Sequence, residues 1–104
     1  MKEKSIVNRI LAYLKTRPDC FCWKEHGDGY SRAGLPDIIC CIGGRFVAFE
    51  VKAPGRKPTV LQDKTLSRIQ NVGGIAHVVI SLDEVKTILN GLGLECGEGV
   101  AHRG

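Results

Sequence analysis

From Lys4 to Lys15 the apolar residues Ile6, Val7, Ile10, Leu11 and Leu14 recur at three- and four-residue intervals, the stripe of an amphipathic helix. Pro18 stops it, because the residue before a proline avoids helical angles. Cys20-Phe21-Cys22-Trp23-Lys24 reads as a short strand, and the glycine-bearing stretch from His26 to Gly34 as an irregular loop. Asp37–Ile42 and Arg45–Lys52 are strands joined through Gly43-Gly44, a two-residue hairpin signal. After a turn from Ala53 to Pro58, a second helix opens at Thr59 and closes at Gly73-Gly74. Ile75–Ile80 is an apolar strand, and Ser81 with Glu84 makes a capping box for a third helix reaching Gly91. The order α-β-β-β-α-β-α predicts a mixed sheet, with an antiparallel hairpin and a last strand returning parallel through the second helix.

The hairpin fixes more than topology. If Gly43 and Gly44 form the loop, Ile42 pairs with Arg45, and counting outward brings Asp37 opposite Glu50 on one face. Their Cα atoms would then stand about 4.5–5.5 Å apart. Glu50 and Lys52, two apart on one strand, share that face too. Two carboxylates facing each other repel unless a cation lies between them, and oxygen ligands from Asp37 and Glu50 suit Mg²⁺. Lys52 beside them could orient or deprotonate an attacking water, or offset charge on a phosphate, as metal-assisted phosphodiester hydrolysis requires. The plainer alternative is an exposed ion pair of Glu50 with Lys52 and an Asp37 that merely starts a strand. Both faces of the second hairpin strand are otherwise apolar, with Phe46 and Ala48 on one side and Val47, Phe49 and Val51 on the other, which weighs against it.

Two further residues admit two readings each. Glu3 continues the buried stripe of the first helix and could point into the same site, or it could be a surface acid favoured by the helix dipole. Gln62 completes a capping box with Thr59, yet it also precedes Leu66 by four and Ile69 by seven, on the face toward the sheet. One amide cannot fully serve both cap and site.

Composition adds bounds. The chain has 104 residues, 43% hydrophobic and 25% charged, enough for one domain with a real core. That domain is expected over 1–92, with a flexible tail over 93–104. Fifteen Lys plus Arg against eleven Asp plus Glu leave a net charge of +4, which permits a polyanionic partner without demanding one. Lys24, Arg32, Gly55, Arg56, Lys57, Lys64 and Arg68 gather basic or phosphate-accessible positions around Lys52. Five cysteines, two of them adjacent, suggest small, mostly buried hydrophobes in a reducing compartment rather than a disulfide framework. The spacing Cys20-x-Cys22-x3-His26 is not a zinc-ligand pattern. No apolar run is long enough to span a bilayer and the N-terminus does not read as a secretory signal, so a cytoplasmic location is expected.

Gly34-Leu35-Pro36-Asp37, Phe49-Glu50-Val51-Lys52 and the following Gln62 together resemble the PD-(D/E)xK nuclease pattern. With the helix glutamate Glu3, the version here is similar to the virus-type replication-repair nuclease (VRR-NUC) family over roughly Glu3 to Ile80. The resemblance implies an α/β (α+β), restriction-endonuclease-like αβββαβ core with a central mixed sheet flanked by helices. It also implies a Mg²⁺- or Mn²⁺-dependent DNA endonuclease with no small-molecule cofactor. Asp37, Glu50 and the Val51 backbone carbonyl would be metal ligands, Lys52 the catalytic lysine, Gln62 a residue positioning it or the water, and Glu3 the helix acid completing the site. Stand-alone members of such a family are phage- or bacteria-encoded and act as homodimers resembling Holliday-junction resolvases, so branched DNA and DNA repair are the implied setting. Two competing readings are a non-catalytic nucleic-acid-binding module on the same fold, and an interaction domain whose charges are surface ion pairs.

Overall fold

The computed structural model describes residues 2–25 and 33–94. In chain order the elements are α1 (Glu3–Leu14), β1 (Cys20–Lys24), β2 (Ile38–Ile42), β3 (Arg45–Val51), α2 (Val60–Asn71), β4 (Ile75–Val79) and α3 (Leu82–Gly91). The four strands form one sheet in the order β1-β2-β3-β4. The β1–β2 and β2–β3 pairs are antiparallel, and β4 joins β3 in parallel after the α2 crossover. The fold is mixed α+β, as the pattern of elements predicts.

Gly43 and Gly44 adopt φ of 57° and 84°, the left-handed pair that a two-residue hairpin turn needs. The register follows from it: Ile42 pairs with Arg45 and Ile38 with Phe49. Each strand ends one residue short of the sequence expectation at the end away from the turn. The reason is local, because the Val51 N–H is taken by the Asp37 carboxylate at 2.8 Å instead of by a backbone carbonyl.

The two faces of the sheet carry unequal loads. On one, α1 and α3 cover the larger core, in which Ile10, Leu14, Ile38, Ile42, Phe49 and Leu89 are fully buried. Removing the Phe49 ring there would cost about 3–5 kcal/mol. On the other, α2 covers a smaller cluster of Ile39, Ala48, Leu66 and Ala76, with Ile69 packed against it. The α2 N-terminus is closed by the predicted capping box, Thr59 Oγ1 accepting from Gln62 N and Gln62 Oε1 from Thr59 N. In α3, Ser81 Oγ accepts from Glu84 N, while Glu84 Oε1 accepts from Ile80 N.

Three features depart from expectation. Cys22 and Cys40 are buried, but the adjacent Cys41 is exposed, because it falls on the face that α2 leaves open there. Burial pushes the Cys20 thiol up to about 12 and Cys40 upward as well, so these two behave as apolar filler. Arg17, 2% exposed, makes a two-pronged contact with Asp19 at 2.9 and 2.8 Å and donates to the Leu94 carbonyl. Leu94 N also donates to Leu89 O at 2.8 Å, so the start of the expected tail is packed. The rest of that tail lies outside the described residues. Among the described residues, no helix is long and apolar enough to cross a membrane.

Candidate active site

Glu50 projects from the penultimate position of β3 onto the α2 face, in line with Ala48, and is 1% exposed. It is a buried carboxylate, so the picture of a surface ion pair fails. Lys52 Nζ lies 3.4 Å from Glu50 Oε2, with 13% of the lysine side chain exposed. The second oxygen, Glu50 Oε1, is buried and has no hydrogen-bond partner. Leaving a buried charged acceptor unpaired costs on the order of 1–3 kcal/mol or more, so such an atom calls for a ligand.

Asp37 stands one residue before β2, behind the buried Pro36, and is half-buried. Its position continues the observed register to a place opposite Glu50, and its Oδ2 accepts from Val51 N at 2.8 Å. Burial raises the Asp37 carboxyl above its ordinary value, against the lowering effects of the Val51 N–H and Lys52. Burial, reinforced by the Asp37 charge, pushes Glu50 from 4.5 up to about 7. Two desolvated acids beside one ammonium carry more negative charge than Lys52 balances, which favours a bound proton or cation there.

Glu3, in the first turn of α1, bridges to the far end of β3: its Oε2 accepts from Ala53 N at 3.1 Å. Its charge also acts to raise the Asp37 carboxyl. The first helix thus delivers an acid to the neighbourhood of the pair, with its own oxygen engaged by backbone. Among the described residues no group of three or more His, Cys, Asp or Glu side chains is arranged to hold a metal ion. The candidate donors are therefore two carboxylates plus backbone oxygen, and the orphaned Glu50 Oε1 together with the excess negative charge fits a hard divalent cation.

Gln62 is placed by its cap. Its oxygen is engaged at Thr59 N, and among the described residues no hydrogen bond joins it to Asp37, Glu50 or Lys52. The turn after Lys52 carries Arg56 and Lys57, both exposed, and Arg56 N closes it on Ala53 O at 3.0 Å. Lys64 and Arg68 are exposed on α2, and Lys24 ends β1 on the α1 face. Arg32 lies outside the described residues.

Gly34 explains how the loop before Asp37 approaches α2. Its φ is 87°, and a Cβ there would fall 2.7 Å from Leu61 Cγ and 3.2 Å from Leu61 O. The glycine in Gly34-Leu35-Pro36-Asp37 is thus required twice, by backbone angle and by space.

Sequence reasoning missed Trp23 and Glu25. Glu25 N donates to Asp37 O at 2.7 Å, and Glu25 Oε1 accepts from Trp23 Nε1 at 2.9 Å. The alternation in Cys-Phe-Cys-Trp-Lys was the available signal, since it puts Phe21 and Trp23 on the face opposite the buried thiols.

Neither a family model nor a curated protein matches the sequence. Solved structures do. One described as "VRR_NUC domain" superposes with a TM-score of 0.71 at 23% identity, covering 86% of this chain and 96% of that one. A second, described as "VRR_NUC domain protein", gives a TM-score of 0.68 at 16% identity over 86% of each chain. Shared architecture over that span gives this chain the fold of the VRR_NUC domain.

Proposed function

We propose that this chain is a divalent-metal-dependent DNA endonuclease that acts on branched or structured DNA as a homodimer. The observation that carries the reading is Glu50: an acid 1% exposed, one oxygen unpartnered, facing Asp37 and 3.4 Å from Lys52. Asp37, Glu50 and the Val51 carbonyl would hold Mg²⁺ or Mn²⁺. Such an ion supplies Lewis acidity toward a phosphate oxygen and lowers the pKa of bound water. Lys52 orients the attacking water and offsets charge on the phosphate; the water oxygen bonds to phosphorus as its proton passes to solvent, the P–O ester bond breaks, and the departing oxygen takes a proton from solvent water. Glu3 steadies the exit of β3 at Ala53 and adds negative charge near the ion. Gln62 positions Lys52 or the water, a role that requires its side chain to release Thr59 N. Arg56, Lys57 and Lys64, with Arg32, bind backbone phosphates without reading sequence, whereas Lys24, on the opposite face of the sheet from the acids, is set aside from that group.

Support for the dimer comes from β4, an edge strand whose Val78 and the following Ile80 remain 36% and 38% exposed. The test is incubation of purified protein with four-way-junction, flap and linear duplex DNA in Mg²⁺, Mn²⁺ or EDTA. Metal-dependent cutting supports the proposal. Salt-sensitive binding without cutting, unchanged in Asp37→Asn, leaves a non-catalytic module on the same fold.

A further inference from the structure

Asp37 has little backbone to hold it in the sheet. β2 begins one residue later, at Ile38, and the β2–β3 ladder stops at the Ile38–Phe49 pair. Toward β3 Asp37 spends its side chain, Oδ2 accepting from Val51 N at 2.8 Å. Pro36 before it is buried but has no N–H to bond the sheet. Among the described residues the one backbone hydrogen bond of Asp37 comes from the other side, where Glu25 N donates to Asp37 O at 2.7 Å. The backbone from which the Asp37 carboxylate projects is thus held by the end of β1.

Glu25 lies one residue beyond β1, and its side chain is what ties it down. Cys20 pairs with Ile42 and Lys24 with Ile38, so the same count sets Glu25 opposite Asp37. Its Oε1 accepts from Trp23 Nε1 at 2.9 Å, an ionised acceptor for a neutral donor and so a stronger bond than a neutral pair makes. Trp23 is steadied in turn by Phe21, their rings 5.8 Å apart and tilted at 52°. At 44% exposure on an edge strand, Trp23 buries too little to be read as core. Its polar atom is the part with a defined partner, and that partner leads to Asp37.

We propose that Trp23 and Glu25 are positioning residues for Asp37: the indole pins the Glu25 side chain, and the pinned residue offers its backbone N–H to Asp37 O, which holds the Asp37 carboxylate opposite Glu50 for a divalent cation. The inference rests on the metal site of the proposed nuclease and adds the element that keeps one of its acids in place. Neither residue touches the ion; both act through Asp37. When a ligand occupies its competent position for only a fraction of the time, affinity drops by that fraction. The role asks for a donor at residue 23 and an acceptor at residue 25, and it does not ask for the Glu25 charge. Coupling is reciprocal, so a bound ion must tighten the Trp23–Glu25 contact by the factor by which that contact tightens the ion.

The experiment compares the full chain with three variants. Trp23→Phe keeps a ring and loses the donor, Glu25→Ala loses the acceptor, and Glu25→Gln keeps an acceptor without the charge. Mg²⁺ affinity, read by calorimetry, should fall about 2- to 10-fold in Trp23→Phe and Glu25→Ala and stay near the parent in Glu25→Gln. In EDTA, protection of the residue 25 amide from hydrogen exchange should drop in the same two variants and hold in the third. Trp23 is the chain's one tryptophan, so its single indole N–H resonance should exchange more slowly in the parent once Mg²⁺ is added. Should Trp23→Phe fail to fold in thermal melts, Glu25→Ala carries the same comparison. Equal Mg²⁺ affinity in all four chains overturns the positioning role and leaves the metal site standing. A loss in Glu25→Gln as large as in Glu25→Ala overturns it as well, by giving the effect to the charge. Weaker binding with no change in indole exchange reduces the pair to structural support. A parent that binds no Mg²⁺ removes the metal site itself, and the positioning role with it.

Discussion

Glu50 and Lys52 sit two apart on one side of the β3 line, and the carboxylate and ammonium meet at 3.4 Å with the acid 1% exposed. The same ammonium also acts on Asp37, just before β2, where its charge works to lower the carboxyl against the effect of burial. Burial and the Asp37 charge together push Glu50 up to about 7, above its ordinary 4.5.

This shift has a sign that can be measured. The folded chain binds the Glu50 proton more tightly than the unfolded chain does, so between pH 4.5 and about 7 the native state carries more protons. Stability in EDTA should therefore fall as pH rises through that window, by up to about 3 kcal/mol, and level off above it. Thermal melts of Glu50→Gln should lose most of this slope and exceed the parent at pH 8. A flat parent profile would contradict the site's electrostatics.

Added Mg²⁺ should reverse the penalty. At a hundredfold excess over Kd the gain is about 2.7 kcal/mol, and each kcal/mol moves Tm by about 4–8 °C in a domain this size. The Mg²⁺-dependent rise should vanish in Asp37→Asn and Glu50→Gln. Both acids must be ionised to bind the ion, so its affinity, read by calorimetry, should weaken as pH drops below about 7.

Lys52→Ala should reduce cutting by at least about 100-fold while Mg²⁺ binding persists, since the lysine serves the water and the phosphate rather than the ion. Retained cleavage would remove Lys52 from the reaction.

Gln62→Ala removes the reciprocal half of the α2 capping box and should cost about 1 kcal/mol in denaturant melts. Gln62→Glu preserves the cap and should recover stability. A rate loss in both variants, with stability restored in the second, would show that the amide also serves the site.

Gly34→Ala should destabilise by about 1–3 kcal/mol, because a Cβ would meet Leu61 at 2.7 Å from a left-handed backbone. A melt unchanged from the parent would show that the Gly34–Leu61 approach is not needed.

The register was legible because two glycines in sequence leave a hairpin little choice, and from there Asp37 and Glu50 fall opposite by counting. Helix starts at Thr59 and Ser81 were legible because caps are local. Glu3 was not: whether a first-turn acid meets Ala53, fifty residues on, depends on how α1 lies across the sheet. Arg17 was hidden for a similar reason, since a basic residue beside a proline looks exposed until Asp19 and Leu94 are seen to enclose it. The exposure of Phe21 and Trp23 escaped notice because alternation separates the two faces of β1 without saying which of them a distant helix will reach.

The Arg17 contact to Leu94 bears on where this domain can be cut. A guanidinium with so little access to water has no solvent to replace an acceptor it loses, and Leu94 lies two residues past the boundary that composition suggests. Shortened versions ending at residue 92 would keep the Asp19 pair but leave one buried guanidinium N–H without its acceptor, so they should be less stable than versions that retain Leu94.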